Sequence, residues 1–167
     1  MHMKRFLRGL SLFAVLVLLC LCGCGSRRAL CDAMAEAVAA DETLPAGTLL
    51  CYTHTENATM SEDFLSDYLG LSGYPAFGEK IEELAVYCSL QPPYCEMAVM
   101  RVYNAADAAD GLLFLERRAE QTARTLRFCG MDGYAENALV ERRGNLVFLC
   151  MMPDNDRAVS ALRAGLQ

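Results

Sequence analysis

At 167 residues the chain has room for one ordinary domain, and 54% hydrophobic with 22% charged residues argues for a packed core and against disorder. Three of the 15 basic residues, Lys4, Arg5 and Arg8, precede an apolar run, whereas all 21 acidic ones follow it; without that leader, 12 Lys and Arg face 21 Asp and Glu, a net charge of −9. So acidic a chain has no basic footprint for nucleic acid, which argues against that partner.

The leader sets the location. A basic stretch to Arg8, an apolar run from Leu10 to Leu21 and a small residue, Gly23, make a signal-peptide layout. Leu21-Cys22-Gly23-Cys24 resembles a bacterial lipobox, with an aliphatic residue three places before the cysteine and a small one just before it. Cys20 and Cys22 follow the bulky Leu19 and Leu21, so Cys24 is the expected lipidation site. An uncleaved anchor is the alternative, but spanning a bilayer takes roughly 20 apolar residues and the uncharged stretch is shorter. The expected organisation is a signal peptide over 1–23, the lipidated Cys24 and a short linker to residue 28, and one domain over 29–167. The linker arginines Arg27 and Arg28 are close enough to Cys24 to meet headgroup phosphates.

Along the mature chain, Leu30, Met34, Ala37 and Val38 predict a first helix, which Leu44-Pro45-Ala46-Gly47 breaks. Thr48 to Thr55 reads as a strand. Ser61 is placed to cap a short helix carrying Phe64, Leu65, Tyr68 and Leu69, with Gly70 as its stop and Leu71 to Gly78 as a loop. Leu84 to Cys88 and Glu96 to Tyr103 then form a hairpin around Gln91-Pro92-Pro93-Tyr94, where neither proline can donate a ladder bond. Asn104 is expected to cap a long helix through about Phe128, with Ala108, Leu112, Leu115, Ala119 and Leu126 on one stripe and Gly130 at its end. A second hairpin, Leu139 to Arg142 and Leu146 to Met152 about Gly144-Asn145, leads to a last helix with Ala158, Val159, Leu162 and Leu166 on one face. The fold class is therefore α+β: a β-β-α-β-β-α antiparallel sheet of four strands, five with Thr48 to Thr55, after one or two N-terminal helices, with helices on one face.

The segments Glu83-Leu84-Ala85-Val86-Tyr87, Glu96-Met97-Ala98-Val99, Tyr134 and Val140-Glu141-Arg142-Arg143-Gly144-Asn145-Leu146-Val147, with the long helix between, resemble the small clostridial-type lipoproteins of domain-of-unknown-function family 4358. The resemblance runs from about Lys80 to Leu166 and includes the leader. It implies an extracytoplasmic α+β lipoprotein and supplies no catalytic residue. The Pro92-Pro93 loop and the many cysteines depart from the family pattern.

Chemistry has few places to reside. Beyond the leader there is one histidine, His54; on a strand, Cys51 and His54 point to opposite faces and cannot share an ion, and no second close ligand pair exists. No Gly-x-Ser-x-Gly elbow is present, and Glu82-Glu83 and Asp154-x-Asp156 read as solvated faces or caps. No catalytic residue, metal or cofactor is expected. The six cysteines left after lipidation, Cys31, Cys51, Cys88, Cys95, Cys129 and Cys150, allow 15 pairings, and several have the neighbours of small buried hydrophobes. A hairpin centred between Gln91 and Pro92 sets Cys88 opposite Cys95 at disulfide distance; a register shifted by one residue separates them. Arg117, Arg124 and Arg127 align on the long helix as a candidate anion surface, against a solvated face in which Glu120 pairs Arg124. The expected function is a non-catalytic binding or accessory module, lipid-anchored through Cys24 on the outer face of a bacterial cytoplasmic membrane, with an envelope protein or wall polymer as partner. A thiol-redox protein using Cys88 and Cys95 and a small hydrolase are the alternatives.

Overall fold

The computed structural model describes residues 27–167; the expected leader and the expected lipidation position, Cys24, lie outside them. Helix α1 spans Leu30–Ala39, strand β1 Gly47–Thr53, and helix α2 Glu62–Leu69. Between α2 and the next strand, the expected loop contains a 3-10 turn, Leu71–Gly73, and a one-turn helix α3, Pro75–Gly78, started by a proline whose missing N–H costs nothing at a first helical position. Strands β2 (Ile81–Ser89) and β3 (Glu96–Val102), helix α4 (Ala108–Cys129), strands β4 (Leu139–Arg143) and β5 (Leu146–Met151) and helix α5 (Asn155–Gly165) complete the chain.

The expected caps at both ends of α2 and at the end of α4 are present. Ser61 Oγ accepts from the Phe64 N–H at 3.2 Å, and Gly70 and Gly130 end α2 and α4 at φ of 66° and 63°, a region an L side chain enters only with strain. Asn104 does not itself cap α4. It forms a turn in which its carbonyl accepts from the Asp107 N–H at 3.0 Å, and the helix begins at Ala108.

All five strands form one antiparallel sheet in the order β1-β2-β3-β5-β4. Helices cover both of its faces, which corrects the one-face expectation. One core joins Leu84, Val86, Ala98, Met100, Val147 and Leu149 to Leu65, Leu69, Phe114 and Leu115 of α2 and α4. The other joins Ala85, Tyr87, Met97, Val99, Phe148 and Cys150 to Leu30, Met34, Val159 and Leu162 of α1 and α5. The physical reason lies in β3, buried at all seven positions: a strand apolar on both sides needs a helical layer on each.

The same ladder decides the cysteine pairing. Cys88 pairs with Glu96, and the Ser89 N–H donates to the Cys95 carbonyl at 2.9 Å. This is the register shifted by one residue, so Cys88 joins the α4 core and Cys95 the α1 core. A Cys88–Cys95 disulfide is thus ruled out in this hairpin, and both thiols are free. A disulfide instead joins Cys31 of α1 to Cys51 of β1, with Cα atoms 5.9 Å apart.

Candidate functional site

The three candidate arginines on α4 meet different fates. Arg124 pairs with Glu120 at 3.3 Å, and Arg127 with Glu136 at 2.7 Å. Both charges are locally compensated, so no common anion surface spans the three. Arg117 has no carboxylate within ion-pairing reach among the described residues. Its guanidinium carbon lies 5.7 Å from the ring centre of Tyr74 and 5.8 Å from that of Phe114, at cation–π distance from both.

These rings floor a cleft of about 520 Å³ between α4 and the Gly73–Phe77 segment. Phe77 packs on Phe114 at 4.6 Å between centroids, and Tyr74 meets Phe114 edge-on at 5.8 Å. Phe114 is sealed at 4% exposure, while Tyr74 at 55% and Leu113 at 44% present apolar surface to solvent. Lys80 closes one end, held by Asp107 at 2.8 Å and Asp110 at 3.6 Å. The hydrogen bond to Asp107 raises the Lys80 ammonium above its ordinary value and lowers the Asp107 carboxyl, so the Lys80 charge is taken up by two carboxylates. The cleft therefore offers one uncompensated cation on an aromatic floor.

One residue further along α4, on the buried side, is a constellation that sequence reasoning missed. Glu96 of β3 is fully buried, and its carboxylate accepts from Tyr68 OH at 2.7 Å, Tyr94 OH at 2.5 Å, Arg118 Nε at 3.1 Å and a terminal Arg118 nitrogen at 2.8 Å. Arg118 also lies over the Tyr68 ring at 4.7 Å. Burial works against the Arg118 cation, but the hydrogen bonds and charge of Glu96 outweigh it and hold the guanidinium above its ordinary value. Burial, then the Glu96 charge, pushes both tyrosine hydroxyls up and the neighbouring Cys88 thiol up to about 12. At neutral pH the two hydroxyls and the thiol are protonated, so none of the three offers an anionic nucleophile. The cluster does tie α2, α4 and the start of β3 together, and so fixes the helix face that presents Arg117.

His54 is exposed just beyond β1. Its Nε2 lies 2.9 Å from the Ile81 carbonyl, and its ring stacks on Tyr103 at 6.1 Å. Cys51 is occupied by its disulfide, so the Cys51-x-x-His54 spacing holds no ion. Among the described residues no three His, Cys, Asp or Glu side chains converge on a metal position, and no helix is long and apolar enough to cross a membrane. No protein-family model, curated protein or solved structure matches the chain.

Proposed function

We propose that the chain is a lipid-anchored, extracytoplasmic, non-catalytic binding module whose ligand-facing surface is the cleft over Arg117. The observation that carries the binding reading is the uncompensated Arg117 guanidinium, held against exposed Tyr74 and buried Phe114, beside two arginines already neutralised by glutamates. A guanidinium positioned in this way keeps its donors free for an anionic group, while Tyr74 and Leu113 contact a planar or partly apolar body. An acidic wall polymer has that chemistry. The location rests on the Leu21-Cys22-Gly23-Cys24 lipobox and on the resemblance to family 4358 lipoproteins. The redox alternative loses support from the opposite-face placement of Cys88 and Cys95.

Purified lipoprotein co-sedimented with cell-wall sacculi that retain their anionic polymer tests this reading. Arg117→Ala should lower the bound fraction at least fivefold, and Arg124→Ala should leave it unchanged. Equal binding by the Arg117 variant would refute the cleft. Intact-mass analysis of membrane-extracted protein tests the anchor: the chain should begin at Cys24 with acyl chains attached, and Cys24→Ala should remain unprocessed.

A further inference from the structure

A second pocket, of about 340 Å³, opens between the end of β1, helix α2 and residues 71–79. That is the small end of the range for small-molecule sites, roughly 300–1,000 Å³. Its charge is of one sign. Glu62, Asp63 and Glu79 line it, all three exposed and none in an ion pair among the described residues, and no lysine or arginine lines it. Lys80, next to Glu79 in the chain, is committed to Asp107 and Asp110. Glu62 and Asp63 stand in the first turn of α2, where a helix favours carboxylates. Glu79 follows the last residue of α3, at a carbonyl end, where a carboxylate gains nothing from the helix.

The floor of the pocket adds an observation independent of charge. Tyr52 is 6% exposed and lines the pocket, yet its hydroxyl has no hydrogen-bond partner among the described residues. Buried tyrosine hydroxyls ordinarily find one. The described side-chain atoms sealed from solvent without a partner belong to Arg101, Thr122, Glu141 and Arg163, so the Tyr52 oxygen is not sealed; it opens into the pocket. Burial first, then the Glu62 charge, pushes this hydroxyl above its ordinary value, which puts Glu62 within electrostatic reach of it. The His54 ring stands edge-on to the Tyr52 ring at 5.3 Å and lines the same pocket. The Ile81 carbonyl, 2.9 Å from His54 Nε2, can only accept. Nε2 therefore carries the hydrogen, and Nδ1 of the neutral ring is left as an acceptor.

We propose that this pocket binds a linear aliphatic polyamine, its ammonium groups taken by Glu62, Asp63 and Glu79 and one of them donating to the Tyr52 hydroxyl. A metal ion is the poorer fit, because no three His, Cys, Asp or Glu side chains among the described residues converge on one point. Acceptors spread around a pocket suit charges spread along a chain. The methylenes between the ammonium groups meet Leu65, Leu71 and Pro75, and the Tyr52 ring adds a π surface for a cation. Pro75 also borders the Arg117 cleft, but the two openings have opposite sign, so the groups they take differ in charge.

Isothermal titration calorimetry of the purified full-length protein with spermidine, Mg²⁺ and butylamine tests this. Spermidine should bind once per chain and roughly tenfold or more tighter than either control, since neither carries charges spaced along a chain. Tyr52→Phe should weaken spermidine roughly tenfold, the worth of a hydrogen bond to a charged group, without lowering Tm, because the hydroxyl has no internal partner to lose. Glu79→Gln should weaken it about threefold, as befits an exposed charge pair. Glu116→Gln, the same change at an exposed position of α4 away from this pocket, should leave binding unchanged. Mg²⁺ binding as tightly as spermidine, or Glu116→Gln costing as much as Glu79→Gln, overturns the site in favour of general attraction to an acidic chain. Spermidine binding at parental strength by Tyr52→Phe overturns it too, as does the absence of saturable spermidine binding.

Discussion

Replacing Arg118 by methionine tests whether the Glu96 cluster holds the α4 face in place. The substitution keeps most of the side-chain volume but leaves a fully buried carboxylate with two tyrosine donors where it had four contacts of 2.5–3.1 Å. Breaking a buried ion pair by removing one partner costs about 3–5 kcal/mol. Because the Arg118 side chain is 22% exposed, the lower end applies, about 3 kcal/mol. For a domain of this size that is roughly 6–12 °C in Tm, a large part of the 5–15 kcal/mol that typically holds a domain folded. Urea unfolding followed by far-UV circular dichroism suits a chain without tryptophan. Adding Glu96→Gln, which keeps an uncharged partner for both tyrosines, should recover more than half of the deficit. Lowering the pH should also narrow it in the single variant. The orphaned carboxylate gains a proton more readily when buried than when unfolded, so protonation favours the folded state as pH falls. The double variant has no such carboxylate and should lack this recovery. A single variant within 1 kcal/mol of the parent, or a double variant no more stable than the single, would refute a buried charge pair as the tie between α4 and β3.

Reducing the Cys31–Cys51 bond, or replacing Cys51 by alanine, opens a loop with a sequence separation of 20 and should cost about 3 kcal/mol, read as a lower urea midpoint. Alkylation of the folded, unreduced domain should modify Cys129 alone, since Cys95 and Cys150 are buried, Cys88 is half-buried, and burial raises all three thiols, Cys88 and Cys150 to about 12. Urea should expose four thiols, and urea with reductant six; four under denaturation without reductant is the count that identifies one disulfide. The same raised thiols predict a loss of stability above about pH 9, because the unfolded chain releases those protons before the folded one does; a flat alkaline profile would contradict their burial.

Local signals carried much of the architecture into the sequence. Ser61 and Gly70 bracket α2 because a hydroxyl and a left-handed glycine satisfy helix ends wherever they occur, and Gly144-Asn145 marks a tight turn for similarly local reasons. What depends on contacts between elements was not visible. The helix-to-strand disulfide needs α1 laid across β1, which no spacing of Cys31 and Cys51 reveals. The Cys88 register turns on a bond pattern at the hairpin mouth, where Ser89 Oγ accepts from the Cys95 N–H at 2.9 Å and holds the pairing one residue from the symmetric alternative. Two-face coverage was readable in principle, since Met97-Ala98-Val99-Met100 has no polar alternation; the hairpin order instead suggested a sheet wet on one side.

The division between Arg117 and Arg118 shows why the site was only half legible. Adjacent helical residues point about 100° apart, so one guanidinium of the pair faces solvent when the other faces the core. Arg118 stands three residues after buried Leu115 and four before buried Thr122, on the apolar stripe, and Glu96 stands at the head of a strand otherwise apolar through Met100. Two opposite charges, each at a position whose pattern calls for an apolar residue, are the signature of a buried pair, because neither could be there alone. Grouping Arg117 with Arg124 and Arg127 by spacing instead joined one unpaired guanidinium to two that glutamates neutralise. Helical spacing states which side chains share a face; whether a face carries net charge depends on carboxylates such as Glu136, which reaches Arg127 from the segment beyond α4. The useful sequence signal for a binding cation here is thus an arginine off the apolar stripe, next to one on it, with aromatic residues as its neighbours in the fold.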